Sequence, residues 1–195
     1  AQRGRSMWRE LPGLGDIVLP SSGDCNMDGT TDPHYRYKMP AIRVKIEGTS
    51  KMIKTIVTNV VPLSQAIGRP PDYLISFLGQ QCSSMSNIDS KEGVEGRAWV
   101  SGKHEQADLQ RFVFQFIREA VLCRVCCSPE TAVRVESVGR KKKAVFLDCK
   151  SCGQQSELPA ADRFVKWTSL HPPLMTKLHG HAESPLAGQA PDDDG

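Results

Sequence analysis

Apolar and polar residues alternate from Ile42 to Glu47, with Ile42, Val44 and Ile46 on one side of an extended chain and Arg43, Lys45 and Glu47 on the other. That period of two is the mark of a strand buried on one face. Gly48-Thr49-Ser50-Lys51 turns it, and Ile53 to Thr58 return as the partner strand of a hairpin. The period then lengthens. Asn59 is placed to cap a short helix that carries Pro62 in its first turn and stops at Gly68. Pro70-Pro71 opens a second helix through Tyr73, Leu74, Phe77 and Leu78, with Gly79 expected to close it. Two strand-like pieces flank residues 91–96, and Ala98-Trp99-Val100 is the one expected to be buried. The longest helix is predicted from near Lys103 to about Val121. There Leu109, Phe112, Val113, Phe116, Ile117 and Ala120 share one face, and Gln110, Gln115 and Arg118 lie off it.

After this helix, Val133, Val135, Val145 and Leu147 read as two short strands joined by residues 137–143, and Ala160 to Leu170 as a last helix stopped by Pro172-Pro173. Residues 1–33 have no sustained apolar period and read as a mobile arm with little core, in which Trp8 and Ile17-Val18-Leu19 are the docking candidates. The residues from His179 to Asp192-Asp193-Asp194 and Gly195 read as an acidic tail. The expected fold class is α+β. A two-layer α/β lobe at 34–122, a mixed sheet with helices, follows the arm; a four-cysteine ribbon at 123–158 and a short helix with the tail at 159–195 complete the chain.

Seven cysteines change the picture. Cys123-Arg-Val-Cys126 and Cys149-Lys-Ser-Cys152, separated by twenty-two residues, have the spacing that lets four thiolates share one tetrahedral Zn²⁺. Gly153 is expected to relieve the chain at positive φ as it leaves the second turn. Such a site is closed to substrate water, so the metal is structural. Two disulfides or four unrelated thiols are the competing readings, and Cys127 competes with Cys126 as ligand. Cys25 and Cys82 read as reduced thiols. No stretch has the apolar run of a signal segment or a bilayer span, so a reduced, cytoplasmic setting is expected.

Net charge is only +3, yet seven cations (Arg36, Lys38, Arg43, Lys45, Lys51, Lys54, Arg69) stand between His34 and Pro70 against one acid, Glu47. This is a candidate anion-facing surface. Tyr35-Arg36-Tyr37-Lys38 interleaves aromatics with cations, a pattern suited to RNA or phosphate. The bland alternative tucks both tyrosines against the core. Arg140-Lys141-Lys142-Lys143 forms a basic hairpin tip, in the bland case a solvated turn. Gly48 with Lys54-Thr55 superficially resembles a phosphate-binding loop and raises a GTP-binding reading, but Ile53 replaces the second glycine that lets amides wrap a phosphate.

Tyr35-Arg36-Tyr37-Lys38-Met39-Pro40, Glu47-Gly48, Ile53-Lys54-Thr55, Arg69-Pro70-Pro71, Gly102 with His104-Glu105, Val121-Leu122-Cys123, Pro129-Glu130-Thr131 and the four ribbon cysteines together resemble the amino-terminal half of the eukaryotic translation initiation factor five family, over about residues 34–173. The beta subunit of initiation factor two is similar in lobe and ribbon, and less so around Tyr35–Pro40. The resemblance implies a GTPase activator, not itself an enzyme. Its target is initiation factor two, whose gamma subunit carries the GTP, in the ternary complex with initiator tRNA. The setting is the small ribosomal subunit, alongside other initiation factors, and the trigger is start-codon recognition. It places the activating arginine at Arg36 and a supporting lysine at Lys54. A further lysine of the family pattern falls at Ser76, which carries no cation. Tyr35, Lys38, Lys51, Arg69, Arg140, Lys141, Lys142 and Lys143 are then the candidate contacts to ribosomal RNA or tRNA. Family members continue into a carboxy-terminal helical-repeat domain, so the chain is expected to be a fragment or a short member. The alternative is a factor-two beta-like or RNA-binding ribbon module in which Arg36 touches only RNA. A free-standing zinc enzyme or nucleotide hydrolase has the least support.

Overall fold

Short apolar runs punctuated by Gly and Pro give this chain short elements. In a computed structural model that describes residues 12–20, 23–49, 52–89, 97–138, 140 and 142–173, these are β1 (Asp24–Asn26), β2 (Lys38–Pro40), β3 (Val44–Glu47), β4 (Lys54–Val57), α1 (Val60–Ile67), α2 (Pro71–Gln81), β5 (Ser86–Asp89), β6 (Arg97–Ser101), α3 (Gln106–Ala120), β7 (Thr131–Ser137), β8 (Lys143–Cys149), β9 (Gln155–Glu157) and α4 (Arg163–Leu170). Trp8, Lys51, Lys141, residues 91–96 and the expected tail lie outside the described residues.

The main sheet has the order β3-β4-β6-β5, and every pairing in it is antiparallel, so it is not the mixed sheet expected. Val44, Val57, Ala98 and Ile88 line up across the four strands, but the alternation does not hold along all of β3, since Ile46, expected on the buried face, is 45% exposed on this edge strand. The four aligned residues join one core with Leu74, Phe77 and Leu78 of α2 and Leu109, Val113, Phe116 and Ile117 of α3. A one-residue slip would turn that row to water, which is what holds the pairing. Together with the cysteine ribbon this makes the α+β architecture expected from the pattern.

Gly79 does not end α2, which runs on to Gln81 and stops where Ser83 turns left-handed at φ 50. Gly79 instead lets β5 lie close, since a Cβ there would stand 2.7 Å from the Ser86 Cβ. Gly79→Ala is therefore expected to destabilise the protein by about 1–2 kcal/mol through overpacking. Alanine's intrinsic advantage in a helix, about 1 kcal/mol, works the other way and is outweighed. Urea unfolding of Gly79→Ala, with Ser86→Gly as the compensating change, checks this.

Asn59 precedes α1 but does not cap it with its side chain. Its amide donates to the Ala41 carbonyl (2.7 Å) and its oxygen accepts from the Arg43 N–H (2.8 Å), pinning the β2–β3 connection. Gln110, placed off the apolar face by its spacing, is buried at 1% exposure because its Oε1 accepts from the Ile42 N–H at 2.8 Å. A backbone donor sealed in a core needs such a partner.

The described part of residues 1–33 is no loose arm. β1 pairs with β2, and Ile17 and Met27 are buried in the main core. The Arg118 guanidinium also donates to the Pro12 carbonyl. Single apolar residues separated by Gly and Asp leave no period to read, although they bury as well as periodic ones.

α4 joins the main lobe to the ribbon. Phe164 packs edge-on to Tyr73, Phe77 and Phe116 in the main core. Its neighbour Val165 sits with Val145, Leu147 and Leu158 in the ribbon's own core. Asp162 caps the helix by accepting from the Phe164 N–H at 2.7 Å. No helix among the described residues is long and apolar enough to cross a membrane.

Candidate metal centre and arginine site

The two CxxC turns sit at one end of the β7-β8-β9 sheet, where Thr131 pairs with Cys149. They are built alike. In the first, the Cys127 N–H donates to the Cys123 carbonyl (3.0 Å) with Cys127 at φ 57; in the second, the Gly153 N–H donates to the Cys149 carbonyl (3.0 Å) with Gly153 at φ 72. Cys127 thus holds the left-handed position that closes its turn, equivalent to Gly153. The sulfurs that converge are those of Cys123, Cys126, Cys149 and Cys152, all within 4.8 Å of one another.

Cys123 and Cys152 sulfurs are 3.6 Å apart, as are those of Cys126 and Cys149. A disulfide bond would bring a pair to about 2.05 Å. The edge of a tetrahedron with Zn–S bonds of about 2.3 Å is instead about 3.8 Å. The donor set fits one Zn²⁺ and leaves it no open position. Burial raises the Cys126 thiol. Burial also opposes ionisation of Cys149, but the Cys152 and Ser151 amides and the neighbouring thiols bring it down to about 7. Four thiolates at this spacing call for a multivalent cation among them. Cys25 and Cys82 are not part of this sulfur cluster; burial pushes the Cys25 thiol up to about 11 and raises that of Cys82, as for inert structural thiols.

Arg36 lies beside this ribbon. Its side chain is exposed and its guanidinium stands over the Tyr37 ring, 5.5 Å from the centroid. The segment beneath is anchored, for the Met27 N–H donates to the Tyr37 carbonyl at 3.1 Å. The Tyr37 hydroxyl donates to Glu130 Oε1 (2.8 Å), and the Ser151 hydroxyl to Glu130 Oε2 (2.9 Å). Those two hydrogen bonds hold the Glu130 carboxyl below the usual range, and the bond to Glu130 raises the Tyr37 phenol. Tyr35 meets Tyr37 edge-on at 5.8 Å, is half-buried against the main core, and has a hydroxyl that is buried and unpartnered.

Lys54 has other surroundings. It pairs with Glu47 at the end of β3 away from the Val44 end that the Arg36 segment leads into, and its ammonium sits 3.7 Å from the Trp99 ring centroid. Ser76 lies on α2 and accepts from the Gln80 amide at 3.3 Å.

The phosphate-loop reading is overturned. Gly48 at φ 94 is a hairpin turn whose Cβ would strike the Met52 carbonyl, and Lys54 and Thr55 begin a strand where a helix would be required. The Thr55 hydroxyl is buried and committed, donating to the Gly102 carbonyl (2.8 Å) and accepting from the His104 N–H (3.0 Å).

Arg69 is also corrected from a surface cation to a buried brace. At 7% exposure its guanidinium donates to the carbonyls of Gly68, Ala120 and Thr131 and to the Thr131 hydroxyl. It ties the α1–α2 corner to the end of α3 and the start of the ribbon. Of the remaining cations, Lys38 is exposed with its ammonium on Asn26 Oδ1, and Arg140, Lys142 and Lys143 are exposed around the β7–β8 tip. Glu130 is the site residue that spacing did not single out. It entered only within Pro129-Glu130-Thr131, and its partner Tyr37 is 93 positions away.

Residues 27–155 match the family described as a domain found in initiation factors 2B and 5. Over 157 residues the chain is 34% identical to the probable eukaryotic translation initiation factor 5 of Schizosaccharomyces pombe, covering 80% of this chain and 38% of that protein. It is 35% identical to eukaryotic translation initiation factor 5 of Saccharomyces cerevisiae over 142 residues (73% and 33%) and 34% identical to that of Mus musculus over 143 (73% and 32%). The chain thus spans about a third of the length of these curated relatives. With most of its described core, both CxxC turns and Arg36 inside the matched residues, the chain belongs to the family that shares the domain found in initiation factors 2B and 5.

Proposed function

We propose that this chain works in translation initiation as a GTPase activator, supplying Arg36 in trans to the GTP-bound factor-two ternary complex on the small ribosomal subunit. The observation that carries the reading is an exposed guanidinium on an anchored base, in a chain related to initiation factor 5 of fungi and mouse. A guanidinium inserted beside a γ-phosphate offsets the charge that develops on its oxygens, an effect worth roughly 10³ to 10⁵ in rate in other GTPases. Zn²⁺, held by Cys123, Cys126, Cys149 and Cys152, is structural in this reading. The exposed Lys38, Arg140, Lys142 and Lys143 supply salt-sensitive attraction to ribosomal RNA or tRNA.

GTP hydrolysis by purified ternary complex on small subunits tests it. Arg36→Ala and Arg36→Lys are expected to lower stimulation at least about a hundredfold while the chain still binds, since the missing charge is needed in the transition state. Loss of binding in step with loss of stimulation assigns Arg36 to an RNA contact and leaves a binding module.

A further inference from the structure

We propose that Glu130 is a positioning residue for Arg36, acting through Tyr37 and fixed in place by the two CxxC turns of the ribbon. The inference rests on the activator reading of Arg36 and adds to it the group that aims the guanidinium.

Glu130 uses every polar group it has. Its carboxylate accepts from Tyr37 on one oxygen and Ser151 on the other, its N–H donates to the Ser128 hydroxyl at 3.2 Å, and its carbonyl accepts from the Lys150 N–H at 2.8 Å. Ser128 directly follows the first CxxC turn at Cys127, whereas Lys150 and Ser151 lie inside the second. The Ser128 and Ser151 hydroxyls close the arrangement at 2.7 Å. Glu130 is therefore held only when both turns stand together, as four sulfurs on one cation would hold them. What it presents outward is one acceptor, and Tyr37 takes it. With the Tyr37 carbonyl held by Met27 and its hydroxyl by Glu130, the ring is fixed at both ends. Arg36 lies over that ring. A long side chain on a fixed aromatic face surrenders less freedom on reaching a phosphate than one on a swinging ring.

The full chain carrying Tyr37→Phe, Glu130→Ala or both is assayed with ternary complex on small subunits. Each single change is expected to lower the maximal stimulated rate about tenfold, within what misplacement of a catalytic group costs. The concentration for half-maximal stimulation stays within about twofold, since binding is not what is lost. The double variant falls no further than either single one, because both break the same link. Glu130→Gln, which keeps an acceptor oxygen for Tyr37, recovers most of the rate. Independently of hydrolysis, trypsin should cut the Arg36–Tyr37 bond several-fold faster in Glu130→Ala, with metal content as in the wild type.

Additive losses, a half-maximal concentration rising in step with the rate loss, or unchanged tryptic cleavage would each overturn the positioning role. Arg36→Ala run beside these variants separates the two ideas. If it retains full stimulation, the activator reading falls. If it abolishes stimulation while Tyr37→Phe and Glu130→Ala keep wild-type maximal rates, the positioning role alone falls.

Discussion

Stripping the metal from the four sulfurs is expected to unfold the ribbon and leave the main sheet and its helices folded but weakened. Structural zinc sites contribute on the order of 10–16 kcal/mol of apparent binding free energy, far more than the ribbon's small core of Val145, Leu147, Leu158 and Val165 can supply. Loss of β7–β9 would also release Tyr37 from Glu130, Arg69 from Thr131 and α4 from β8, so the remaining lobe should melt earlier. Metal analysis should give one zinc per chain, falling well below one in Cys126→Ser and staying at one in Cys127→Ser. NMR amide dispersion during chelation shows which half is lost. Retention of metal in Cys126→Ser with loss in Cys127→Ser would exchange their roles, against the left-handed turn that Cys127 closes.

Arg69→Ala is expected to cost about 3–5 kcal/mol, the range for removing one partner of a buried charged network. The guanidinium satisfies the Ala120 carbonyl twice, at 3.2 and 3.0 Å, and the Thr131 carbonyl at 2.7 Å. Left without a donor, each buried carbonyl costs about 1–3 kcal/mol. Burial lowers the Arg69 pKa only to about 10, so the group stays charged at neutral pH and lies near the negative end of α3. Lysine should recover less than half of the loss, because a point ammonium does not span Ala120, Gly68 and Thr131 together. Urea midpoints at constant m-value measure this, and wild-type stability in Arg69→Ala would return the residue to the surface role its sequence context suggests.

What could be read from the sequence was local. Alternation at Ile42–Glu47, the apolar face of residues 109–120 and the paired CxxC spacing each rest on residues a few positions apart, and each leads to an observed element or cluster. What could not be read depends on distant partners. Asn59, Gln110, Arg69 and Glu130 are polar residues that each have a hydrogen-bond partner 16 to 93 positions away, so no window along the chain reveals the role of any of them. Gly79 shows the same limit in reverse. A glycine in a helix reads as a stop until the strand that needs its missing side chain is brought alongside.

The division of α4 between two cores bears on how the chain comes to be folded during its own synthesis. Phe164 completes the cluster of Tyr73, Phe77 and Phe116, and Val165, the next residue, completes that of Val145 and Leu147. Until residues 163–170 emerge from the exit tunnel, the nascent protein therefore carries two open apolar seams. Elongation speed around that helix would then set how long chaperones have access to them.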